Sequence, residues 1–150
     1  MRALSVFVDS DVVISSLISS SGAASLLLKK KIKNLKLFIS NFSQKELKIV
    51  SQRLEIKPDS LEILIKNRFK IVNLKENNKS LKEKYADYVL DKNDAHIVAG
   101  AVKSKAKFLL TYNWRHFKRE KIKNDFNVII LTPALFLQYL RSKNSFRGKI

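Results

Sequence analysis

The sequence of 150 residues contains no cysteine, three glycines and two prolines. The lack of cysteine excludes disulfide bonds, thiolate catalysis and cysteine-based zinc sites, and it predicts a cytoplasmic location. So few glycines cannot build a glycine-rich phosphate loop, and no stretch has the composition of a flexible linker. No apolar run approaches the roughly 18 residues of a membrane-spanning helix. Met1–Val8 lacks the pattern of an export signal, so we expect neither membrane insertion nor export.

Acidic residues are scarce as well, with 13 Asp and Glu against 30 Lys and Arg and a formal net charge of +17. This excess of positive charge favours a polyanionic partner, and nucleic acid is preferred over a membrane. Part of the lysine count can equally reflect a genome rich in Lys, Asn and Ile codons. The hydrophobic content of 45% is enough for one packed core. We expect residues 1–141 to form one domain and residues 142–150 to form a basic tail.

Five short apolar segments, rich in β-branched and aromatic residues, alternate with segments of helical periodicity. This alternation predicts an α/β fold whose parallel sheet is buried on both faces. The predicted strands are Ala3–Val8, Leu37–Ile39, Phe69–Val72, Phe108–Leu110 and Val128–Leu131. The predicted helices lie near Ala23–Lys33, Gln44–Arg53, Ser60–Asn67, Leu81–Val89, Ala95–Ser104 and Pro133–Arg141.

Three local patterns indicate where helices begin. Ser43 and Glu46 have the Ser-x-x-Glu spacing of a capping box, in which two side chains satisfy free backbone N–H groups. Pro58 opens another helical segment, and Thr132 places a hydroxyl directly before Pro133. Proline is favoured at the first helical position because its missing N–H has no partner there in any case.

Acidic side chains fall at one edge of the predicted sheet. In a parallel sheet the carboxyl ends of the strands and the amino ends of the following helices share an edge, and ligands bind there. Asp9 follows the first strand directly, and Asp11 lies two residues further on. Glu46 falls in the first turn after the second strand, and Asp94 opens the helix before the fourth strand. We therefore expect these acids to converge.

Converging carboxylates on a basic protein suggest a metal-dependent nuclease. A carboxylate that directly follows a buried strand, as Asp9 does, is costly unless it is paired or bound to a cation. Bound Mg²⁺ or Mn²⁺ would relieve the repulsion, activate water and neutralise charge on a phosphodiester. The fourth strand ends with Thr111 and Asn113, which add a hydroxyl and an amide to this edge.

Purely structural roles also fit several of these residues. Glu46 can simply close its capping box, and Asp91 or Asn93 can cap the helix that follows them. Asp94 can be an acid that the helix dipole favours in the first turn, and Asp11 can cap the helix after the first strand.

Four segments resemble motifs of the PIN domain family, whose members include the VapC-type toxin ribonucleases of toxin–antitoxin pairs. Val8–Ser15 resembles the opening Asp-Thr-Asn segment of the family, and Asp91–Ala99 resembles its central Asp-containing helix start. Leu109–Phe117 is similar to the later strand-end motif, and Leu131–Leu137 is similar to the closing strand and helix. The likeness extends over roughly residues 4–140.

The resemblance implies a three-layer α/β/α sandwich with a central parallel sheet of about five strands in the order 3-2-1-4-5. It implies an endoribonuclease with a cleft of acidic residues that binds Mg²⁺ or Mn²⁺ and hydrolyses mostly single-stranded RNA. It also implies a cognate antitoxin protein and a homodimer as partners. The family's three core acids match Asp9, Glu46 and Asp94. The family often has Asp where this chain has Asn113, and Asn where it has Asp11.

In the mechanism that this likeness implies, Asp9 and Asp94 hold the metal, while Glu46 orients the attacking water directly or through the ion. Asn113 and Thr111 position that water or a second, weaker ion. The remaining supporting residues are Ser10, which helps to fix the loop, Asp11 and Asp91.

Basic and aromatic residues outside the acidic edge are candidates for RNA contacts, although the same residues can be solvated helix faces or core. These candidates are Lys29, Lys30, Lys31, Trp114, Arg115, Lys118 and Arg119. We expect His96 to be a structural residue and His116 to lie on RNA or in solvent.

Two other functions stay open. The lack of an acid at Asn113 fits a PIN-fold RNA-binding or interaction module with weak or no catalysis. The Asp9-Ser10-Asp11 segment imitates the nucleophile motif of haloacid dehalogenase-type phosphatases. That second alternative is weaker, because such enzymes need a further acidic pair after a late strand.

Overall fold

The protein folds around one parallel sheet in the computed structural model, which describes residues 3–143. The five strands are ordered β3-β2-β1-β4-β5 and all pair in parallel. This confirms both the predicted α/β fold and the strand order that the family resemblance implies. The strands are β1 Leu4–Val8, β2 Leu35–Ser40, β3 Phe69–Val72, β4 Phe108–Leu110 and β5 Ile129–Leu131.

Helices cover both faces of the sheet because side chains alternate between the faces along each strand. Val6 and Val8 belong to one hydrophobic cluster, whereas Phe7 between them belongs to the other. The same alternation separates Phe108 from Leu109 in β4. The helices are α1 Ser10–Ile18, α2 Ala23–Lys29, α3 Asn41–Arg53, α4 Pro58–Arg68, α5 Asn78–Tyr85, α6 Ala95–Lys103, α7 Arg119–Phe126 and α8 Pro133–Ser142.

The predicted capping box at Ser43 is wrong. Helix α3 begins at Asn41, and the Ser40 hydroxyl caps it by accepting a hydrogen bond from the Ser43 N–H at 3.1 Å. Glu46 consequently lies in the second turn of α3 rather than the first. The other predicted helix starts are confirmed, since Pro58 opens α4 and the Thr132 hydroxyl accepts from the Leu135 N–H.

Among residues 3–143, no single helix is long and apolar enough to cross a membrane; α1 and α2 reach that length only together, and they meet at 97°. Helix α8 extends through Ser142, one position beyond the predicted domain boundary. Residues 144–150 of the predicted basic tail lie outside the described residues.

Gly100 lets α6 lie close against β1. A Cβ at this position would collide with the ring of Phe7, which is fully buried in β1. We expect Gly100→Ala to lower the free energy of unfolding by about 1–3 kcal/mol, because overpacking a dense core forces backbone shifts. Gly22→Ala is the matched control, since its Cβ meets only Ser19 Oγ at 3.7 Å. Urea unfolding of both variants tests this, and an equal loss of stability would contradict it.

Candidate active site at the carboxyl edge of the sheet

Asp9 follows β1 directly and caps the amino end of α1. Its backbone N–H donates to the Leu110 carbonyl at 2.9 Å, which joins the ends of β1 and β4. Its Oδ1 accepts from the Ser10 N–H at 2.7 Å, and its Oδ2 accepts from the Thr111 hydroxyl at 2.9 Å. The carboxylate is therefore fixed in place at the carboxyl edge of the sheet.

The pKa of Asp9 is raised well above the usual range of an aspartate. Burial is the main cause, and the negative charges of Asp11 and Glu46 raise it further, while the hydrogen bond from Thr111 opposes them. Asp9 thus lies in a crowded, electronegative environment that disfavours its own ionisation. A cation would reverse that preference.

Asp11 links α1 to the segment that follows β4. Its Oδ2 accepts hydrogen bonds from the Tyr112 N–H at 3.0 Å and from Asn113 Nδ2 at 3.2 Å, with Thr111 Oγ1 at 3.4 Å. Burial raises the pKa of Asp11, and the hydrogen bond from the Tyr112 N–H is the largest opposing effect. Its other oxygen, Oδ1, is buried without a hydrogen-bond partner in the described part of the chain. Asp9, rather than Asp11, is the helix cap.

Glu46 faces His96 across the gap between α3 and α6. The His96 Nε2 lies 3.6 Å from Glu46 Oε2, and the imidazole packs edge-on against Phe42, one turn before Glu46 in α3. The pKa of Glu46 is lowered, first by His96 and then by the Ser10 hydroxyl, against the effect of burial. The sequence assigned His96 a structural role and gave no indication of this contact.

Asp94 directly precedes α6, as predicted, and His116 Nδ1 lies 3.6 Å from its Oδ2. The pKa of Asp94 is raised by burial and by the charge of Asp91, whereas His116 and His96 lower it. Asp91 itself is an exposed cap that accepts from the Asn93 N–H at 3.0 Å. His116 was expected on RNA or in solvent, and its contact with an acidic residue was not anticipated.

A short backbone bridge joins the segment around Val89, before Asp91, to the segment around Phe117, directly after His116. Val89 and Phe117 form an isolated antiparallel bridge. Its hydrogen bonds run from the Leu90 N–H to the His116 carbonyl and from the Lys118 N–H to the Tyr88 carbonyl, each at 2.9 Å. The segment that leads to Asp91 and Asp94 is thereby tied to the segment that follows Asn113.

Glu46 is the acid common to the two halves of the site. Its charge raises the pKa values of both Asp9 and Asp94, while Asp11 acts on Asp9 and Asp91 acts on Asp94. Of the acids that were expected to converge, Glu46 is thus the one whose charge acts on both the residue after β1 and the residue before α6.

The chemistry of these groups fits a magnesium or manganese ion. Their ligand atoms are carboxylate and hydroxyl oxygens, which hard divalent cations prefer. Within residues 3–143, no three His, Cys, Asp or Glu side chains form a group that could hold a metal ion. Mg²⁺ commonly takes only one or two protein carboxylates and completes its shell with water and phosphate oxygens. The raised pKa of Asp9 and the unpartnered Asp11 Oδ1 are consistent with such a ligand set.

The candidate RNA-contacting residues divide between opposite edges of the sheet. Lys29 ends α2, and Lys30 and Lys31 precede β2, so they lie at the amino ends of the strands, away from the acids. Trp114 and Arg115 belong to a short 3₁₀ turn after β4, at the acidic edge. Lys118 and Arg119 follow that turn.

The comparisons agree with the fold and with the sequence motifs. Residues 5–115 match the PIN domain family. Because this match covers most of the chain, the protein belongs to the PIN domain family, whose members are in general nucleases. The family resemblance predicted from the motifs is confirmed. No match to the chain was found among curated proteins.

Solved structures of toxin–antitoxin complexes share the fold. VapBC-1 from nontypeable Haemophilus influenzae has a TM-score of 0.62 at 16% identity, covering 87% of this chain and 99% of that chain. VapBC2 from Rickettsia felis, bound to a promoter DNA fragment, has a TM-score of 0.59 at 16% identity, covering 86% and 98%. A toxin–antitoxin complex from Klebsiella pneumoniae has a TM-score of 0.57 at 21% identity, covering 85% and 97%.

Proposed function

We propose that this chain is a Mg²⁺- or Mn²⁺-dependent endoribonuclease that hydrolyses phosphodiester bonds of mostly single-stranded RNA. The observation that carries the proposal is the group of acids at the carboxyl edge of the sheet, on a chain of net charge +17. A basic body attracts a polyanion, and a small acidic site within it suits a metal and a phosphodiester better than a neutral substrate. The likeness to the PIN domain family favours the same reaction.

The site residues have different proposed roles, according to where they lie. Asp9 and Asp94 would hold the ion, which when bound supplies Lewis acidity and a more acidic water, and Glu46 would act on that water directly or through the ion. Thr111 holds the Asp9 carboxylate in its orientation through the 2.9 Å hydrogen bond, and Ser10 lies beside Glu46. Glu46, whose pKa is lowered, stays ionised and can orient the attacking water. This is catalysis by positioning and charge, with no protein nucleophile.

The toxin role and the partners form part of the same proposal. The similar solved structures are toxin–antitoxin complexes, which supports a cognate antitoxin protein for this chain. We propose a homodimer, on the family resemblance alone, and a cytoplasmic location. We also propose that residues 1–141 act as the nuclease domain and that residues 142–150 form a basic tail.

A cleavage assay tests the proposed reaction. We expect the wild-type chain to cut a single-stranded RNA in Mn²⁺ and to stop cutting when EDTA is added. Asp94→Asn should lower the rate about 100-fold or more. The loss of a group that only hydrogen-bonds to a metal ligand already costs about 10–100-fold, and Asp94 is proposed to bind the metal itself. Asp59→Asn, an exposed acid in the first turn of α4, is the matched control. Equal cutting by wild type and Asp94→Asn would show a contaminant or a misplaced site.

His96 is expected to act on metal affinity through Glu46. His96→Leu removes the imidazole beside the Glu46 carboxylate, so the pKa of Glu46 should rise and Mn²⁺ binding should weaken, more at acidic than at neutral pH because a proton then competes with the metal. His96→Gln keeps a side-chain N–H donor and should recover part of the affinity. Mn²⁺ titration followed by electron paramagnetic resonance measures both variants. Equal affinities for leucine and glutamine would contradict the prediction.

Asn113 favours a second candidate, a PIN-fold module that binds RNA without cutting it. At this position the chain has an amide where the family resemblance implies an acid. The same assay separates the two candidates, because a binding module would retain RNA in EDTA and still leave it intact in Mn²⁺. The haloacid dehalogenase-type alternative receives no support from the family comparison.

A further inference from the structure

We propose that Arg115 and Arg119, held against Trp114, form a binding site for the phosphodiester backbone of RNA beside the acidic edge. This inference rests on the proposed function for the identity of its ligand. It adds where the RNA strand passes beyond the proposed catalytic acids and which side chains bind the RNA at that point.

Both guanidinium groups lie over one indole ring. The Arg119 Cζ lies 4.3 Å from the centre of the Trp114 ring, and the Arg115 Cζ lies 4.8 Å from the same point. Trp114 is itself partly buried against the hydrophobic cluster that contains Phe7 and Leu109, so its ring is a fixed support. Cation–π contacts engage the faces of the guanidinium groups and leave their N–H edges free to donate.

The local charges favour an anion at this point. Arg115 and Arg119 are both exposed, and within residues 3–143 neither forms an ion pair with a carboxylate. Two cations that share one ring repel each other, and a phosphate bound by both would offset that repulsion. The planar fork of N–H donors on arginine also matches two phosphate oxygens better than a lysine ammonium does.

The position of this cationic group relative to the acids suits a continuous strand. Trp114 follows Asn113, whose amide donates to Asp11, and the next residue but one, His116, lies 3.6 Å from Asp94. The Val89–Phe117 bridge holds this segment in place. An RNA strand whose scissile phosphate lies at the acidic edge of the sheet would therefore bring a neighbouring phosphate to Arg115 and Arg119.

RNA binding without cleavage tests the site. The probe is a fluorescein-labelled single-stranded RNA of mixed sequence, measured by anisotropy in EDTA over a series of salt concentrations. Arg115→Gln/Arg119→Gln should weaken binding at least tenfold. The slope of log affinity against log salt should become shallower by about 0.7, since each phosphate contact on a single strand contributes about 0.7 and the two arginines share one phosphate. Lys103→Gln/Lys107→Gln removes the same charge from exposed positions at the amino edge of β4 and should change affinity less than threefold.

Trp114 provides a second measurement because it is the one tryptophan in the chain. Saturating RNA should change its intrinsic emission in the wild type and in the Lys103/Lys107 control, but not in the double arginine variant. Trp114→Leu, which keeps both arginines but removes their support, should weaken RNA binding by a smaller factor than the double variant.

The outcomes separate this site from the proposed function. If the wild-type chain binds no RNA, the proposed function fails and this site fails with it. If the wild type binds but the arginine variant keeps its affinity and salt slope, the site is wrong and the proposed function stands. Equal losses in the arginine variant and in the lysine control would show an effect of net charge alone and would also overturn the site. Unchanged Trp114 emission on binding would place the RNA elsewhere.

Discussion

Asp9→Asn should make the metal-free protein more stable at neutral pH while it removes divalent-metal binding and RNA cleavage. The ionised Asp9 carboxylate is buried and lies in the negative fields of Asp11 and Glu46, which together raise its pKa. Asparagine keeps the shape and an acceptor for the Ser10 N–H, and its amide can donate to the Thr111 hydroxyl. The substitution thus removes an unfavourable charge and keeps the local hydrogen bonds.

The pH dependence of this effect has a definite sign. The unfolded pKa of an aspartate is about 3.9, and the folded pKa of Asp9 is higher. Between these two values the folded protein binds the proton more tightly, so stability falls as pH rises through the raised pKa. The stability gained by Asp9→Asn should therefore be largest at neutral pH and should disappear below about pH 4.

Thermal unfolding in EDTA at pH 7 and at pH 4 measures the gain, and Asp59→Asn again serves as the control because Asp59 is exposed. Mn²⁺ should raise the unfolding temperature of the wild type but not of Asp9→Asn, since a ligand stabilises only the state that binds it. RNA cleavage should fall about 100-fold or more. A variant that is less stable than wild type at pH 7, or that still responds to Mn²⁺, would show that Asp9 is not held in a strained, metal-binding environment.

Asn113→Asp alone should be strongly destabilising, and the exchange of the two residues should restore stability. Asn113 Nδ2 lies 3.2 Å from Asp11 Oδ2, so an aspartate at 113 would place two carboxylates in contact. Like charges about 4 Å apart near a protein surface repel by up to about 4 kcal/mol. We expect Asn113→Asp to cost about 1–4 kcal/mol at pH 7 and less at low pH, where a proton relieves the contact.

The exchanged variant, Asp11→Asn/Asn113→Asp, recreates one carboxylate and one amide in the opposite arrangement. Asparagine at position 11 can still accept from the Tyr112 N–H, which Asp11 now holds at 3.0 Å. A double-mutant cycle by chemical unfolding should give a favourable coupling energy well above 0.5 kcal/mol, as expected for residues in direct contact. The exchanged variant should also retain cleavage in Mn²⁺, since the number of acids at the site is unchanged. Additive single effects would show that the two side chains act independently.

This contact accounts for both departures from the family pattern together. The resemblance implies asparagine at position 11 and aspartate at position 113, and this chain carries the reverse. The structure brings the two side chains together, so the chain keeps one acid and one amide across the same contact. The sequence allowed Asp11 to supply charge near Asn113, but the direct contact between the two side chains is visible only in the structure, where α1 and the end of β4 are adjacent.

The strands were predictable because each is a short, almost wholly apolar segment. The predicted ranges for β3, Phe69–Val72, and β4, Phe108–Leu110, agree with the structure, and the other three differ only at their ends. Burial on both faces of a parallel sheet gives this continuous apolar pattern, which a surface strand does not show.

Helices α1 and α7 are absent from the predicted helical ranges for opposite reasons. Helix α1 contains Val12, Val13 and Ile14, a β-branched run without amphipathic spacing, because the helix is buried on most of its surface. Helix α7 buries only Ile122, and its many charged residues were interpreted as a basic patch. Both helices are set by the connections between strands rather than by local periodicity.

The sequence predicted which edge of the sheet carries the site but not the side-chain contacts within it. The order of the strands places Asp9, Glu46 and Asp94 at one edge, and a sequence pattern can show that much. The contacts of Glu46 with His96 and of Asp94 with His116 join elements far apart in the chain. Side-chain contacts of this kind have no periodic signature in the sequence.

The Val89–Phe117 bridge ties together two segments that flank the site. Its two backbone hydrogen bonds, from Leu90 and Lys118, close a pair of loops that would otherwise fray separately. The hydrogen-bonded amides of this bridge, Leu90 and Lys118, should exchange with deuterium at a common rate, as a single cooperative unit. RNA binding would then carry little entropic cost for ordering the protein, because these two segments are already held in place.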